Sequence, residues 1–240
     1  ADAILDGCLE SGTLGMVGDG ASPKKYLIGL EAIKKRGGLG IPIFKPREYN
    51  LDVIKRFKAA EDAGAVAVGI DIDAASFKTM TLKGQAVGPK TIAELQELKS
   101  HLKVPFILKG IMNVKSALAA IEAGADAIVV SNHGGRVMDH MPGTAEVLPG
   151  IANAVGGRVK VLVDGGIREG IDILKMLALG ADAVMIGRPV CIAAFGAGQE
   201  GVSFYLQEKL NELKKAMILT GCGSIDRIDP SVIFRKKGDR

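Results

Sequence analysis

Three features of the sequence predict an α/β fold, a TIM-type (β/α)8 barrel with seven of its eight strands visible. One phrase recurs along the chain, as EDAGAVAVGID (61–71), EAGADAIVVSN (122–132) and ALGADAVMIGR (178–188). In each copy a glycine follows a helical stretch and precedes a strand of small and β-branched residues. The strands are nearly continuous apolar runs, as in a parallel sheet that is buried on both faces. Strict alternation of strands and helices completes the prediction.

The predicted strands are separated by helical segments with recognisable starts. The strands span residues 14–19, 41–46, 65–71, 105–110, 127–132, 160–166 and 183–188. Between them, Thr91 with Glu94 forms a capping box, and Asn113 is the N-cap of a second helix. No GxGxxG motif follows the first strand, and a polar residue ends almost every strand. We therefore favour a closed barrel over an open, doubly wound sheet.

The chain opens on a helical pattern, residues 1–12, with no strand before it. A barrel helix of this kind follows a strand, so we expect the first strand to be missing. The interpretation is a single barrel domain over residues 1–240 that is incomplete at its N-terminal side. A barrel that is closed by a partner or left open is the alternative, although open parallel edges favour aggregation.

Composition excludes several classes of function. Hydrophobic residues make up 48% of the chain, and 31 basic against 27 acidic residues give a net charge of +4. This balance is too mild to indicate a nucleic-acid or membrane partner. The three cysteines, Cys8, Cys191 and Cys222, have no spacing typical of a metal site or a disulfide framework. We expect a cytoplasmic protein without a bound metal.

Polar and charged residues collect where the predicted strands end. The carboxyl ends of the strands share one face of a barrel, the face that carries catalytic residues. The residues at these ends are Asp19, Lys45, Asp71, Asp73, Lys109, Ser131 to Arg136, Asp164 to Arg168, Gly187 and Arg188. Their repetition on successive strands predicts a functional rim.

The last two strands predict a phosphate site. Residues 164–168 (DGGIR) and 186–189 (IGRP) combine glycines with arginines. Exposed backbone N–H groups and a helix start favour an anion at this position of the barrel, and a guanidinium matches phosphate oxygens. The alternative is that the glycines serve tight turns and the arginines are solvated.

The segment SNHGGR, residues 131–136, predicts acid–base chemistry. A neutral imidazole at His133 accepts a proton near physiological pH, and Arg136 is suited to clamp a carboxylate. Asp73 is placed to orient His133, and Lys109 offers positive charge to an anion that forms in the pocket. We interpret His101 and His140 as ordinary helix and loop residues.

The motifs from about residue 104 to 221 resemble the FMN-dependent α-hydroxyacid dehydrogenase/oxidase family, relatives of glycolate oxidase and flavocytochrome b2. The resemblance is carried by LKGI, AGADAIVVSNHGGRVMDHMPGT, VLVDGGIREGIDILKMLALGADAVMIGRP and, more thinly, AGAVAVGIDID. It implies an FMN-dependent enzyme that oxidises a small, lactate- or glycolate-like 2-hydroxy acid to the 2-oxo acid, with an electron acceptor that the residues leave open. It also suggests a homo-oligomer.

The resemblance assigns a role to each rim residue. His133 would be the base, Asp73 its partner and Arg136 the carboxylate clamp, while Lys109 would lie at the N1/O2 edge of the flavin. Ser131 would contact the flavin ring. The residues that would hold the ribityl chain and phosphate are Asp164, Gly165, Gly166, Arg168, Gly187 and Arg188. Transfer of a hydride and passage through a carbanion are both compatible with these roles.

Departures from the family pattern concern the substrate. Lys45 stands at the place of an active-site tyrosine, and Asp71 at that of a flavin-contacting threonine. The family's second carboxylate-binding arginine has no counterpart in residues 74–91. Two other functions therefore remain in view. One is an FMN-binding barrel without hydroxyacid turnover, and the other is a flavin-free aldolase or epimerase that binds a sugar phosphate.

Overall fold

The computed structural model describes residues 1–22 and 24–234. Helices and strands alternate along this part of the chain, with short 3-10 turns at Ile72–Ala74, Ile225–Arg227 and Pro230–Val232. The elements in order are α1 (Asp2–Glu10), β1 (Met16–Gly18), α2 (Lys25–Lys34), β2 (Ile41–Phe44), α3 (Asn50–Asp62), β3 (Val68–Asp71), α4 (Lys78–Thr81), α5 (Ile92–Ser100), β4 (Phe106–Ile111), α6 (Val114–Glu122), β5 (Ala127–Val130), α7 (Thr144–Val155), β6 (Lys160–Val163), α8 (Gly170–Ala178), β7 (Ala183–Val184) and α9 (Arg188–Leu219).

The seven strands form one parallel sheet in the order β1 to β7. All seven predicted strands are confirmed, most of them somewhat shorter than predicted. Each strand pairs with the next one along the chain, as in a barrel, whereas a doubly wound sheet reverses its order at a switch point. Within the described residues β1 and β7 each pair on one side only, so the sheet is a (β/α)8 barrel that lacks its first strand there.

Two layers of apolar side chains hold the sheet. The inner layer fills the barrel and includes Ile43, Ile107 and Val129. The outer layer lies between the strands and the helices and is larger, with Phe44 and Phe106 among its fully buried members. Successive side chains of a strand point to opposite faces, so nearly continuous apolar strands are needed to supply both layers.

The predicted helix starts are confirmed. The Thr91 hydroxyl accepts a hydrogen bond from the backbone N–H of Glu94 while the Glu94 carboxylate accepts from Thr91, which completes the capping box of α5. The Asn113 side chain accepts from the backbone N–H of Ser116 and caps α6. These bonds satisfy N–H groups that the first turn of a helix leaves free.

The long helix α9 was not predicted. It is broken at Ala197 and Gly198, where the backbone leaves the helical conformation. Val190, before the break, and Val202, after it, pack in one apolar cluster with Cys8 of α1. Leu213, further along the second half, packs with Leu174 of α8. No helix in the described parts of the chain is both long and apolar enough to cross a bilayer.

Strand alternation brings polar groups to one end of the barrel interior. Ile43, Ile107 and Val129 point inward, so the residue two positions further along each strand also points inward. These next inward residues are Lys45, Lys109 and Ser131. Asp71, the last residue of β3, and Asp164, the first residue after β6, take the same position. The register pairs Asp71 directly with Lys109. The carboxyl end of the barrel is therefore closed by a polar layer.

Candidate active site

Acidic and basic side chains alternate around this polar layer. Lys45 Nζ lies 2.6 Å from Asp71 Oδ2, and Lys109 Nζ lies 3.2 Å from Asp71 Oδ1. Lys109 Nζ also lies 3.5 Å from Asp164 Oδ2 and donates a 3.1 Å hydrogen bond to the Ser131 hydroxyl. Neighbouring strands thus supply charges of opposite sign, which is how buried charges are tolerated.

The pairing keeps these buried groups ionised. Burial opposes the charged form of Lys109, but the carboxylates of Asp71 and Asp164 outweigh it and raise its pKa above the ordinary value. Burial likewise opposes ionisation of Asp71, yet Lys109 and Lys45 bring its pKa below the ordinary value. Lys109 is therefore a fixed cation at the barrel mouth.

His133 and Asp73 form the pair that the sequence predicts. His133 Nδ1 lies 3.1 Å from both carboxylate oxygens of Asp73. The backbone N–H of His133 donates to the Ser131 hydroxyl, which links the imidazole to the polar layer. With Nδ1 facing a carboxylate, the free nitrogen of the ring is Nε2, and it is the one available to a substrate proton.

Arg136 and Phe77 complete the wall around His133. The Phe77 ring lies edge-on to the imidazole with the ring centres 5.0 Å apart, and Arg136 Cζ lies 5.7 Å from the centre of the same ring. Arg136 is exposed, and no carboxylate among the described residues pairs with it. His133, Arg136, Lys109 and Phe77 line one cavity of about 400 Å³.

Asp71, Asp73 and His133 also have the spacing of a metal site, since one ligand atom from each lies within 4.8 Å of the others. The positive charges of the neighbouring lysines argue against a metal ion at this position. Both oxygens of Asp71 already face ammonium groups, at 2.6 and 3.2 Å, and a cation added there would meet Lys45 and Lys109. The arrangement favours an ion-pair network over a metal ion.

A second cavity of about 450 Å³ adjoins the glycine loops. Its wall includes Gly134, Gly135, Gly165, Gly166 and Arg188, so the β5 and β6 loops and the start of α9 meet there as predicted. Three other residues of the predicted set, Asp164, Arg168 and Gly187, are not among the residues that line this wall. The Arg168 guanidinium donates to the carbonyl of Ile167.

Comparison with known proteins identifies the family. The profile of the FMN-dependent dehydrogenases matches residues 73–235, more than half of the chain. The chain belongs to the FMN-dependent dehydrogenase family. A peroxisomal (S)-2-hydroxyacid oxidase, GLO3 of Arabidopsis thaliana, is 34% identical over 224 residues, which cover 79% of this chain and 61% of that protein. The L-lactate oxidase of Lactobacillus jensenii is 39% identical over 205 residues, 82% of this chain and 50% of that protein.

Solved structures of this family share the fold. A mandelate oxidase with benzoyl-formic acid superposes with a TM-score of 0.82 at 34% identity, covering 95% of this chain and 71% of the other. Another mandelate oxidase structure reaches a TM-score of 0.84 at 32% identity, covering 95% and 72%. The chain spans about half to three fifths of the length of the curated relatives above.

The residues present fit the family's cofactor, FMN. Asp164 Oδ1 is buried and has no hydrogen-bond partner among the described residues, so it is ready to accept from a hydroxyl group of the ribityl chain. A Cβ added to Gly135 or Gly166 would meet no atom within 4 Å, which leaves room beside the backbone of both loops. Arg188 supplies a cation to the same cavity, as a phosphate requires.

Sequence reasoning missed two groups at the site. Phe77 sits in a loop between β3 and α4, and no local pattern distinguishes it from other loop apolar residues. Thr144, the first residue of α7, donates a 2.6 Å hydrogen bond from its hydroxyl to the carbonyl of Asp164 and fixes that loop. His101 and His140 lie outside both cavities, in agreement with their ordinary interpretation.

Proposed function

We propose that this chain is the FMN-binding barrel of an oxidoreductase that converts a small, lactate- or glycolate-like 2-hydroxy acid into the 2-oxo acid. The observation that carries the proposal is the convergence of His133, Arg136 and Lys109 on one cavity, with Asp73 in contact with the His133 imidazole. Relatives named as hydroxyacid and lactate oxidases support the substrate class.

Arg136 binds and orients the substrate. A guanidinium forms two parallel hydrogen bonds with a carboxylate, which fixes both the position and the rotation of the acid. The Phe77 ring, 5.7 Å from Arg136 Cζ, provides an apolar wall beside that contact. The 2-hydroxyl of the bound acid is thereby directed towards His133.

His133 accepts the hydroxyl proton at Nε2. Asp73 accepts the Nδ1–H hydrogen bond and stabilises the imidazolium that results, as the carboxylate of a catalytic triad does. The proton leaves the substrate oxygen as the carbonyl of the product forms. FMN, when bound, supplies the acceptor for the hydrogen and the two electrons that leave the 2-carbon.

Lys109 compensates the negative charge that accumulates at the barrel mouth. Because Asp71 and Asp164 keep it protonated, its charge needs no rearrangement during the reaction. The Ser131 hydroxyl fixes the ammonium from one side at 3.1 Å. The charges of the polar layer are thus already in position before the reaction begins.

Anaerobic spectroscopy of the FMN-loaded protein tests the proposal. We expect L-lactate, glycolate or a homologous 2-hydroxy acid to bleach the flavin absorbance, with formation of the corresponding 2-oxo acid. A flavin that remains yellow with every acid would support a binding module without turnover. A purified protein that fails to bind FMN would support the flavin-free aldolase or epimerase.

A further inference from the structure

The cavity of about 400 Å³ beside His133 and Arg136, called the substrate cavity below, contains more positive charge than a single carboxylate requires. Four basic side chains line its wall but only two carboxylates do. The basic residues are Lys25, Lys45, Lys109 and Arg136, and the carboxylates belong to Asp19 and Asp71. The ionic contacts of these groups show which charges are neutralised by the protein and which are left for a ligand.

The buried part of this charge is already balanced. Asp71 lies between Lys45 and Lys109, at 2.6 and 3.2 Å. Asp19 is engaged as well, because its carboxylate accepts hydrogen bonds from Arg47 and from the backbone N–H of Gly20. Neither carboxylate is free for a further cation.

Lys25 and Arg136 are the cations of this wall without a partner. Both are exposed side chains, and neither forms an ion pair or a side-chain hydrogen bond within the described residues. Arg136 stands beside His133, and Lys25 enters the cavity from the first turn of α2, on the side of the β1 strand end. The two unpaired cations therefore belong to different walls of one cavity.

Gly20 makes room for Lys25. A Cβ added to Gly20 would lie 2.8 Å from Lys25 Cδ and 3.2 Å from Lys25 Nζ, so the lysine occupies the space that a side chain at position 20 would need. The Asp19 carboxylate holds the backbone N–H of Gly20 at 2.7 Å. The ammonium of Lys25 thus lies close to the backbone of Gly20, which the Asp19 carboxylate holds in place.

On the basis of the proposed function, we infer that the substrate is a 2-hydroxy dicarboxylate. Its C1 carboxylate binds Arg136, beside the base, and its distal carboxylate binds Lys25. Both cations line this cavity, and a second carboxylate is the simplest partner for the second one. The phosphate of FMN is accounted for at the separate cavity that contains Arg188.

Binding of matched 2-oxo acids tests this inference without turnover. 2-Oxoglutarate and 2-oxopentanoate have the same carbon chain and differ only in the distal carboxylate. Calorimetric titration of the FMN-loaded protein is expected to give a Kd about tenfold lower for 2-oxoglutarate, as for one charge-assisted hydrogen bond at a solvated site. In Lys25→Met this ratio should fall towards one, while the Kd of 2-oxopentanoate stays unchanged.

Two controls separate Lys25 from general effects of charge. Lys34→Met removes an exposed lysine from the last turn of the same helix, outside the substrate cavity, and should preserve the tenfold ratio. Lys25→Arg keeps the positive charge and should retain most of the preference. Because Lys25 is exposed, none of these changes removes a buried group from the fold.

Several results would overturn the inference. These are equal Kd values for the two acids in the unmodified protein, undetectable binding of 2-oxoglutarate, a preference that survives in Lys25→Met, or equal weakening of both acids by that change. Failure of the proposed function is a different result, since it requires that neither 2-hydroxyglutarate nor 2-hydroxypentanoate bleaches the flavin. Bleaching by 2-hydroxypentanoate with equal or greater efficiency would uphold the function and reject the dicarboxylate.

Discussion

His133 has a backbone conformation that residues other than glycine rarely adopt, with φ of 56°. The left-handed region costs an ordinary residue roughly 1 kcal/mol or more, and here the contacts of the residue hold it in place. Its N–H donates to Ser131, and its imidazole meets Asp73. The backbone strain is offset by contacts that point the ring towards the cavity.

Replacing the base is expected to stop the chemistry and spare the fold. His133→Gln should lower the rate constant of anaerobic flavin bleaching by about 1000-fold, because general base catalysis typically contributes 10²- to 10⁴-fold. Stopped-flow absorbance measures the rate. His101→Gln, an exposed histidine at the end of α5, should leave the rate unchanged. A His133→Gln protein with full activity would contradict the assignment.

Asp71 is expected to make stability depend on acid pH. Asp71→Asn leaves the buried cations Lys45 and Lys109 with one carboxylate fewer, which should cost about 3 kcal/mol of unfolding free energy at pH 7. Because the folded protein lowers the pKa of Asp71, this contribution is complete above its ordinary pKa of 3.8 and disappears as the pH falls through the lower folded value.

Urea unfolding of both proteins from pH 7 to pH 3 measures this effect. The difference in unfolding free energy should be constant down to about pH 4 and shrink below it. Asp62→Asn, at an exposed position of α3, should change the unfolding free energy by less than about 0.5 kcal/mol throughout. A difference between the wild type and Asp71→Asn that does not vary with pH would reject the ion-pair interpretation.

At the scale of elements, an irregularity in β4 positions the site. The register of β4 against β5 shifts between Lys109 and Ile111, and the residue between them, Gly110, has φ of +104°. A Cβ at this glycine would lie 2.6 Å from Asp73 Cγ. The irregular strand end therefore lets Asp73 come close to β4 and reach His133.

Substitution of this glycine should affect stability and activity together. Gly110→Ala is expected to displace Asp73, slow flavin bleaching by at least about tenfold and lower the Tm, since the substituted residue has both a clash and a strained φ. Gly84→Ala is the matched control. Its φ is also positive, at +68°, but an added Cβ meets nothing within 4 Å. If Gly84→Ala slowed bleaching as much, the contact with Asp73 would not be the cause.

At the scale of the whole molecule, the two cavities join parts of the chain that are distant in sequence. The cavity of about 450 Å³ that fits the FMN phosphate is lined by the loops after β5 and β6 and by the start of α9, and Ile233 adds to its wall. A ligand that binds these groups only in the folded protein stabilises all of them together.

The expected cytoplasmic location and homo-oligomeric state stay predictions.

FMN is accordingly expected to raise the Tm of the purified chain. At a free concentration of 100 times its Kd, a ligand adds about 2.7 kcal/mol to the unfolding free energy, an increase that differential scanning calorimetry measures as a higher Tm. Arg188→Ala should reduce the shift, because a cation is lost from the phosphate cavity. Lys214→Ala removes an exposed lysine of the same helix and should leave the shift unchanged. An undiminished shift in Arg188→Ala would place the phosphate elsewhere.

The barrel, its seven strands and a set of candidate site residues could all be predicted from local signals in the sequence. Strand alternation, helix caps and glycine loops are local signals, so the rim containing His133, Asp73 and Lys109 could be predicted from the position of each residue after its strand. Arg188 was predicted for the same reason, since it follows the last strand.

How these residues neutralise and position one another depends on contacts that form in the folded chain. The register of β3 on β4 places Asp71 between Lys45 and Lys109, and the irregularity at Gly110 admits Asp73. Phe77 and Lys25 reach the cavity from a loop and a helix start that carry no recognisable signal. Such contacts depend on side-chain distances across separate elements, which no spacing along the chain specifies.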